Sequence, residues 1–231
     1  MIAVFLTFWG MYTVYALYRN LRGPDEVSLT AQLLQTVLIL IALRWMWLSG
    51  GLTRTLWSPV DIGAGLVLGH LLFVVSLGIT HQHPGDVARH AVDLRSIAAF
   101  TSKTPELCLR FLGVAAIEEL VYRAAAQDML LTLWGRPLPA IGVTALSFCL
   151  LHNHFLKNGL VSAFEFILFT LTIGVVYYYT SSLTLVILAH TVRNVESAYL
   201  EYCVLMQHNH DETEALRMLN TRGASPAVEF V

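Results

Sequence analysis

The stretch Glu118-Glu119-Leu120-Val121-Tyr122-Arg123, EELVYR, sets two adjacent carboxylates and a guanidinium inside one of the most apolar parts of the chain. On an α-helix Glu119 and Arg123 are four residues apart, share a face and pair. Glu118 lies about 100° away and aligns with Tyr122 instead. One carboxylate is therefore neutralised by Arg123 and the other is left for a different task. What surrounds the six residues decides what kind of helix this is. Of 231 residues, 56% are hydrophobic and 13% charged, with a mean hydropathy of +0.62, far from the balance of a soluble domain.

Working outward, seven apolar segments occupy residues 2–18, 29–49, 60–80, 107–133, 138–156, 160–180 and 183–206. Crossing roughly 30 Å of hydrocarbon takes about 17–25 helical residues. The expected fold is all-α: a polytopic transmembrane bundle of about seven spans, six to eight, with a polar intramembrane chamber. Residues 1–206 form one integral membrane domain with its motif-bearing core at 105–206, and 207–231 is a polar tail whose end, RGASPAVEFV, frays. The fourth segment carries Glu118, Glu119, Arg123 and Asp128 and is the weakest span by hydropathy. With the N-terminus outside, one face receives Arg19, Arg22, Arg89, Arg95, Lys103, Lys157, Arg217 and Arg222, and the other Arg54 and Arg136. Eight against two favours N-out, C-in under the positive-inside rule. The first segment has no basic n-region and no small-residue cleavage site, and reads as a retained span.

The net charge of −2 provides no basic stripe for nucleic acid, so that partner class is set aside. Cys108, Cys149 and Cys203 have no CxxC spacing and read as packing residues rather than a disulfide framework. Gly65 and Gly69 form a GxxxG that lets another helix approach. Between segments three and four, Val87, Ala91, Leu94 and Ala98 recur at helical spacing, opposite Arg89, Asp93 and Arg95, which suits one helix lying in the interface. Arg193 and Glu196 are three apart and are expected to pair, and Glu201 to border the chamber. Arg44 and Arg110 are expected to snorkel to headgroups, and Asp61 to sit at a helix N-terminus.

Ionisable groups deep in a bilayer cost at least about 2.5–3.5 kcal/mol each, so they face a bundle interior or a wet cavity. Three such sites stand out: EELVYR, then FCLLH with Phe148 and His152 one turn apart, then HTVRN with His190 and Asn194 one turn apart. Together they supply what peptide hydrolysis without a covalent nucleophile requires. Glu118 and His152 suit a general base that takes a proton from water. His190 and Asn194 suit the donors that stabilise the oxyanion.

At these residues the chain resembles the CAAX protease and bacteriocin-processing membrane protein family, which includes the Ras-converting CAAX endopeptidase. EELVYR matches its EExxxR motif, FCLLH its FxxxH and HTVRN its HxxxN, in order within 77 residues. The resemblance covers about residues 105–206. It implies a glutamic-type intramembrane endopeptidase acting on a membrane-associated substrate, near that substrate's C-terminal anchor or tail, with no cofactor and no metal. Glu118 and His152 would activate water, and His190 and Asn194 would hold the oxyanion. Glu119, Arg123, Tyr122 and Phe148 would be structural or orienting. Ala124 stands where many members have Gly, and Tyr122 where Phe is frequent. The substrates that the family allows are prenylated CAAX tails, peptide precursors and the C-terminal sorting segments of a myxosortase-like branch. Compact size and short loops suit a bacterial inner membrane.

Three other classes use similar residues: a non-catalytic scaffold or immunity-type member of the same fold, a metal-dependent membrane protease, and a transporter with mid-membrane carboxylates. There is no HExxH, and His152 and His154 point to different helix faces. His81, His83, His90, His208 and His210 read as solvated. No paired inverted halves are visible, and all four candidate catalytic groups are present.

Overall fold

The computed structural model describes residues 1–22, 28–51, 58–80, 84–152, 155, 157–209 and 211–222, and the secondary structure of these residues is entirely helical. The helices are α1 (Ile2–Arg22), α2 (Leu29–Ser49), α3 (Pro59–Thr80), α4 (Pro84–Val92), α5 (Leu94–Lys103) and α6 (Pro105–Glu119). A π-helical segment, Leu120–Gln127, continues α6 into α7 (Asp128–Trp134). Then come α8 (Pro137–Leu151), α9 (Gly159–Thr180), α10 (Leu183–Asn209) and α11 (Glu212–Arg222). The expected tail end falls largely outside the described residues, as do His81, His83, His154, His210 and Arg54.

Local chemistry accounts for many of these boundaries. Four helices begin on proline, whose missing N–H is unneeded in a first turn. Ser28 caps α2 by accepting from the Ala31 N–H, and Gly50 and Gly135 end α2 and α7 in the left-handed region, at φ 71° and 61°. Asp61 lies in the first turn of α3, as expected. By length and composition α2, α3 and α9 suffice to cross a membrane, and α8 is a shorter apolar helix.

The GxxxG is a helix seam. A Cβ on Gly65 would lie 2.8 Å from the Leu185 carbonyl oxygen, and one on Gly69 would lie 2.6 Å from Val192 Cβ and 2.7 Å from the Ala189 oxygen. Backbone thus meets backbone along α3 and α10, where apolar transfer drives nothing in lipid and close packing must hold helices together. The contacts advance together along both helices, so α3 and α10 run parallel. The π segment and α9 are also parallel: Arg123 bonds Thr170, Gln127 bonds the Gly174 carbonyl, and Asp128 meets Tyr177.

The interfacial segment departs from its expected form. It is two helices, not one, because the Asp93 side chain accepts from the Ser96 N–H and restarts the helix as an N-cap. The restart changes the phase. Ile97 and Phe100 are buried, while Leu94 and Ala98 are exposed; the side chains of Val87 and Ala91 lie outside the described set. Ile97 and Phe100 join Leu107, Phe111, Ala198, Ala215 and Leu219 in a core separate from the main one, tying α5, α6, α10 and α11 together. Each fully buried Leu or Phe contributes about 1.5–3 kcal/mol where water is the alternative. The segment after Gln207 is therefore docked through α11. Arg110, expected among headgroups, instead donates to the Asn220 carbonyl in the last turn of α11, where helix carbonyls lack partners and attract a cation.

Candidate active site

Every residue of Leu120–Gln127 is buried, and Ala124, Ala125 and Ala126 are fully so. Small side chains let α2, α8 and α9 close around a widened helix. Such i→i+5 turns are rare and recur at functional sites. Glu119, the last residue before the wide turn, pairs with Arg123 as expected: Nε donates to Oε2 at 3.0 Å, with both side chains fully buried. The guanidinium also donates through Nη2 to Thr170 Oγ1 at 2.8 Å and lies over the Phe148 ring at 5.5 Å.

The other oxygen of Glu119 is not spare. His190 Nδ1–H donates to Oε1 at 2.8 Å, across 71 residues of chain. This bond fixes the imidazole and turns its Nε2 to Glu118 Oε2 at 3.7 Å. His152 approaches from the opposite side, with Nε2 3.6 Å from Glu118 Oε1. Its Nδ1–H donates to the Phe148 carbonyl at 2.8 Å, a bond available because α8 ends at Leu151 and His152 is its extended cap. The expected segment 138–156 is thus cut short at the histidine. Asn20 Nδ2 donates to the Leu151 carbonyl at 2.8 Å, satisfying an end of α8 that has no intrahelical partner.

The two carboxylates consequently differ in kind. Glu119 is dry and bonded at both oxygens. Glu118 is 22% exposed beside a His152 that is 25% exposed, and each of its oxygens faces an imidazole nitrogen at a distance too long for a direct hydrogen bond. A water molecule hydrogen-bonded to both atoms of such a pair sits to one side of it. Phe148 walls the cluster, 4.5 Å from the His152 ring, 6.0 Å from His190 and 5.1 Å edge-on from Tyr122, which in turn meets Trp9.

Asn194 lies one turn along α10 from His190, half-buried, and its Oδ1 accepts from Arg193 Nη1 at 3.4 Å. Among the described residues no hydrogen bond joins it to Glu118 or His152. The expected Arg193–Glu196 pair does not form. Arg193 Nη2 donates to both oxygens of Glu165, at 2.8 and 3.0 Å, and Glu196 meets His70 Nδ1 at 3.1 Å. Both choices follow from burial, since partners on neighbouring helices reach these groups where water does not. Thr170, Gln127, Asn20 and His70 were not expected at all. Gln127 had a signal, standing four residues beyond Arg123, whereas the others are defined only by which helices meet. Among the described residues no group of three or more His, Cys, Asp or Glu side chains is arranged to hold a metal ion.

No curated protein and no solved structure matches the chain. The family model that does match is described as type II CAAX prenyl endopeptidase, Rce1-like, and it covers residues 101–195. That segment contains all four candidate catalytic residues, and its match agrees with the CAAX protease family that the three motifs resemble.

Proposed function

We propose that the protein is a glutamic-type intramembrane endopeptidase, and the observation that carries this reading is the position of the Glu118 carboxylate between the Nε2 atoms of His152 and His190. A water held between Glu118 and His152 loses a proton to Glu118 as its oxygen adds to the scissile carbonyl. The carbonyl oxygen, now anionic, accepts from Nε2–H of a protonated His190 and from Nδ2–H of Asn194. His190 donates at both nitrogens in that form, and Glu119 takes the Nδ1–H. Glu118 then passes its proton to the leaving amine as the C–N bond breaks. Neither step requires a metal ion.

The substrate is a membrane-associated protein or peptide cut near its C-terminal anchor: a prenylated CAAX tail, a peptide precursor or a sorting segment. A polar chamber among α6, α8 and α10 would admit it together with water. Seven crossings, with the termini on opposite faces, are supported by the two parallel pairings, and the N-out, C-in orientation by the eight-to-two distribution of Lys and Arg. The third and seventh apolar segments run the same way, as do the fourth and sixth, which alternate crossing requires only if the fourth is itself a span. Short loops suit a bacterial inner membrane.

The test is co-expression with candidate membrane-anchored substrates, comparing wild type with Glu118→Gln and His152→Ala. Both variants should lose cleavage by about 10²–10⁴-fold at unchanged protein level, the range for a positioned acid–base group. Undiminished cleavage by both would overturn the mechanism. Activity should survive exhaustive chelation, and its loss would indicate a metal enzyme.

A further inference from the structure

Helix α9 contains none of the three motifs, yet it is built against the HxxxN pair. Glu165 and Arg193 are both buried, with the guanidinium Nη2 bonded to both carboxylate oxygens. Arg193 Cζ lies 4.5 Å from the Phe169 ring centroid, and that ring meets His190 edge-on at 5.1 Å. One α9 surface therefore supports both His190 and the residue next to Asn194.

A guanidinium has donors only, so the amide atom that faces Arg193 Nη1 must be oxygen. With Oδ1 committed at 3.4 Å, the Nδ2 donors of Asn194 point the other way. A flipped amide would set donors against donors. A free asparagine amide has no such preference, and half of its orientations would present a carbonyl oxygen to a developing negative charge.

We infer that Arg193, held by Glu165 and Phe169, is a positioning residue that locks the Asn194 amide with its N–H side toward the reacting carbonyl. The inference rests on the reading of Asn194 as an oxyanion donor. Arg193 itself touches no reacting atom. A lysine in its place would keep a cation beside Glu165 but lacks the planar fork that reaches carboxylate and amide together.

Two measurements on the full-length protein in micelles decide it. In the first, asparagine is labelled with nitrogen-15 and the Asn194 side-chain NH₂ signals are assigned by their loss in Asn194→Ala. Arg193→Lys should shift or split those signals while the other asparagine amides stay in place. Unchanged Asn194 signals, in Arg193→Lys and in the double variant Glu165→Gln/Arg193→Met, overturn the inference; the double variant leaves no unpaired buried charge and so keeps the test open if the lysine variant folds poorly.

The second is a kinetic cycle. Arg193→Lys should lower kcat about tenfold at constant KM, part of the ~10²–10³ that losing an oxyanion donor costs. In an Asn194→Ala background it should lower kcat no further, since nothing remains to orient. Losses that multiply would show that Arg193 acts independently of Asn194 and overturn the inference. Cleavage that persists in Glu118→Gln would remove the proposed function instead, and the amide signals would still decide the role of Arg193.

Discussion

Glu119 accepts the Nδ1–H of His190 at 2.8 Å through one oxygen while the other holds Arg123 at 3.0 Å. One carboxylate thus joins the first motif to the third. Replacing it with an amide that carries a single acceptor leaves one of two buried donors facing an NH₂ group. Glu119→Gln should therefore destabilise the protein by about 3–5 kcal/mol, the cost of breaking a buried charge pair, and should lower kcat as His190 loses its fixed orientation. Thermal unfolding in detergent read beside cleavage checks both, and a fully stable Glu119→Gln protein would count against the linkage.

Thr170 adds a second acceptor for the Arg123 guanidinium, from α9. Thr170→Val keeps the shape but removes the acceptor, leaving a charged donor unsatisfied at a cost of about 1–3 kcal/mol. Thr170→Ser should restore most of that. Equal stability in the valine and serine variants would mean that the bond contributes nothing.

The seam between α3 and α10 has no room at Gly69, where a Cβ meets Val192 Cβ at 2.6 Å. Gly69→Val should cost at least about 1–3 kcal/mol by overpacking. Gly63, on the same helix with nothing within 4 Å of a Cβ, is the control: Gly63→Ala should stay within about 0.5 kcal/mol of wild type.

Outside the bundle, Lys103 and Glu212 form a surface ion pair that fastens α11 to the end of α5. The hydrogen bond from Lys103, then that from Tyr202, holds the Glu212 carboxyl below its ordinary 4.5, and the same pairing raises Lys103 above 10.5. A lowered carboxylate contributes stability that is present above its unfolded value and lost as pH falls through the folded one. Amide-exchange protection of Glu212–Arg222 should hold from neutral pH down to the ordinary glutamate range and decline below it. Because both groups are exposed, salt should weaken the effect. Protection that is flat through the acid range would exclude the pair as a fastening.

Much of the site is legible in the residues because helical spacing is local. Four-residue intervals put Glu119 with Arg123, separate Glu118 from both, and place Phe148 with His152 and His190 with Asn194. The GxxxG likewise marks a place where another helix comes close. What spacing cannot supply is the partner on another helix. Arg193 had a local candidate in Glu196, yet a two-oxygen fit to Glu165 across the bundle takes precedence. His190 gave no sign that its second nitrogen would be held by Glu119. The break at Asp93 is hidden in the sequence because apolar periodicity runs through it; a single side-chain cap outweighs that periodicity and rotates everything downstream.

The π segment has a consequence for chain length. A turn closed by i→i+5 bonds takes one residue more than an α-turn, so Leu120–Gln127 holds an insertion inside a helix without forming a loop. Removing one of Ala124, Ala125 or Ala126 would let the stretch relax to ordinary helix, yet it would rotate Asp128–Trp134 against Glu118 and Glu119 by a fraction of a turn. The charged stretch and the apolar helix that follows it are thus phased to each other by a count of residues, and the alanines are where that count is kept.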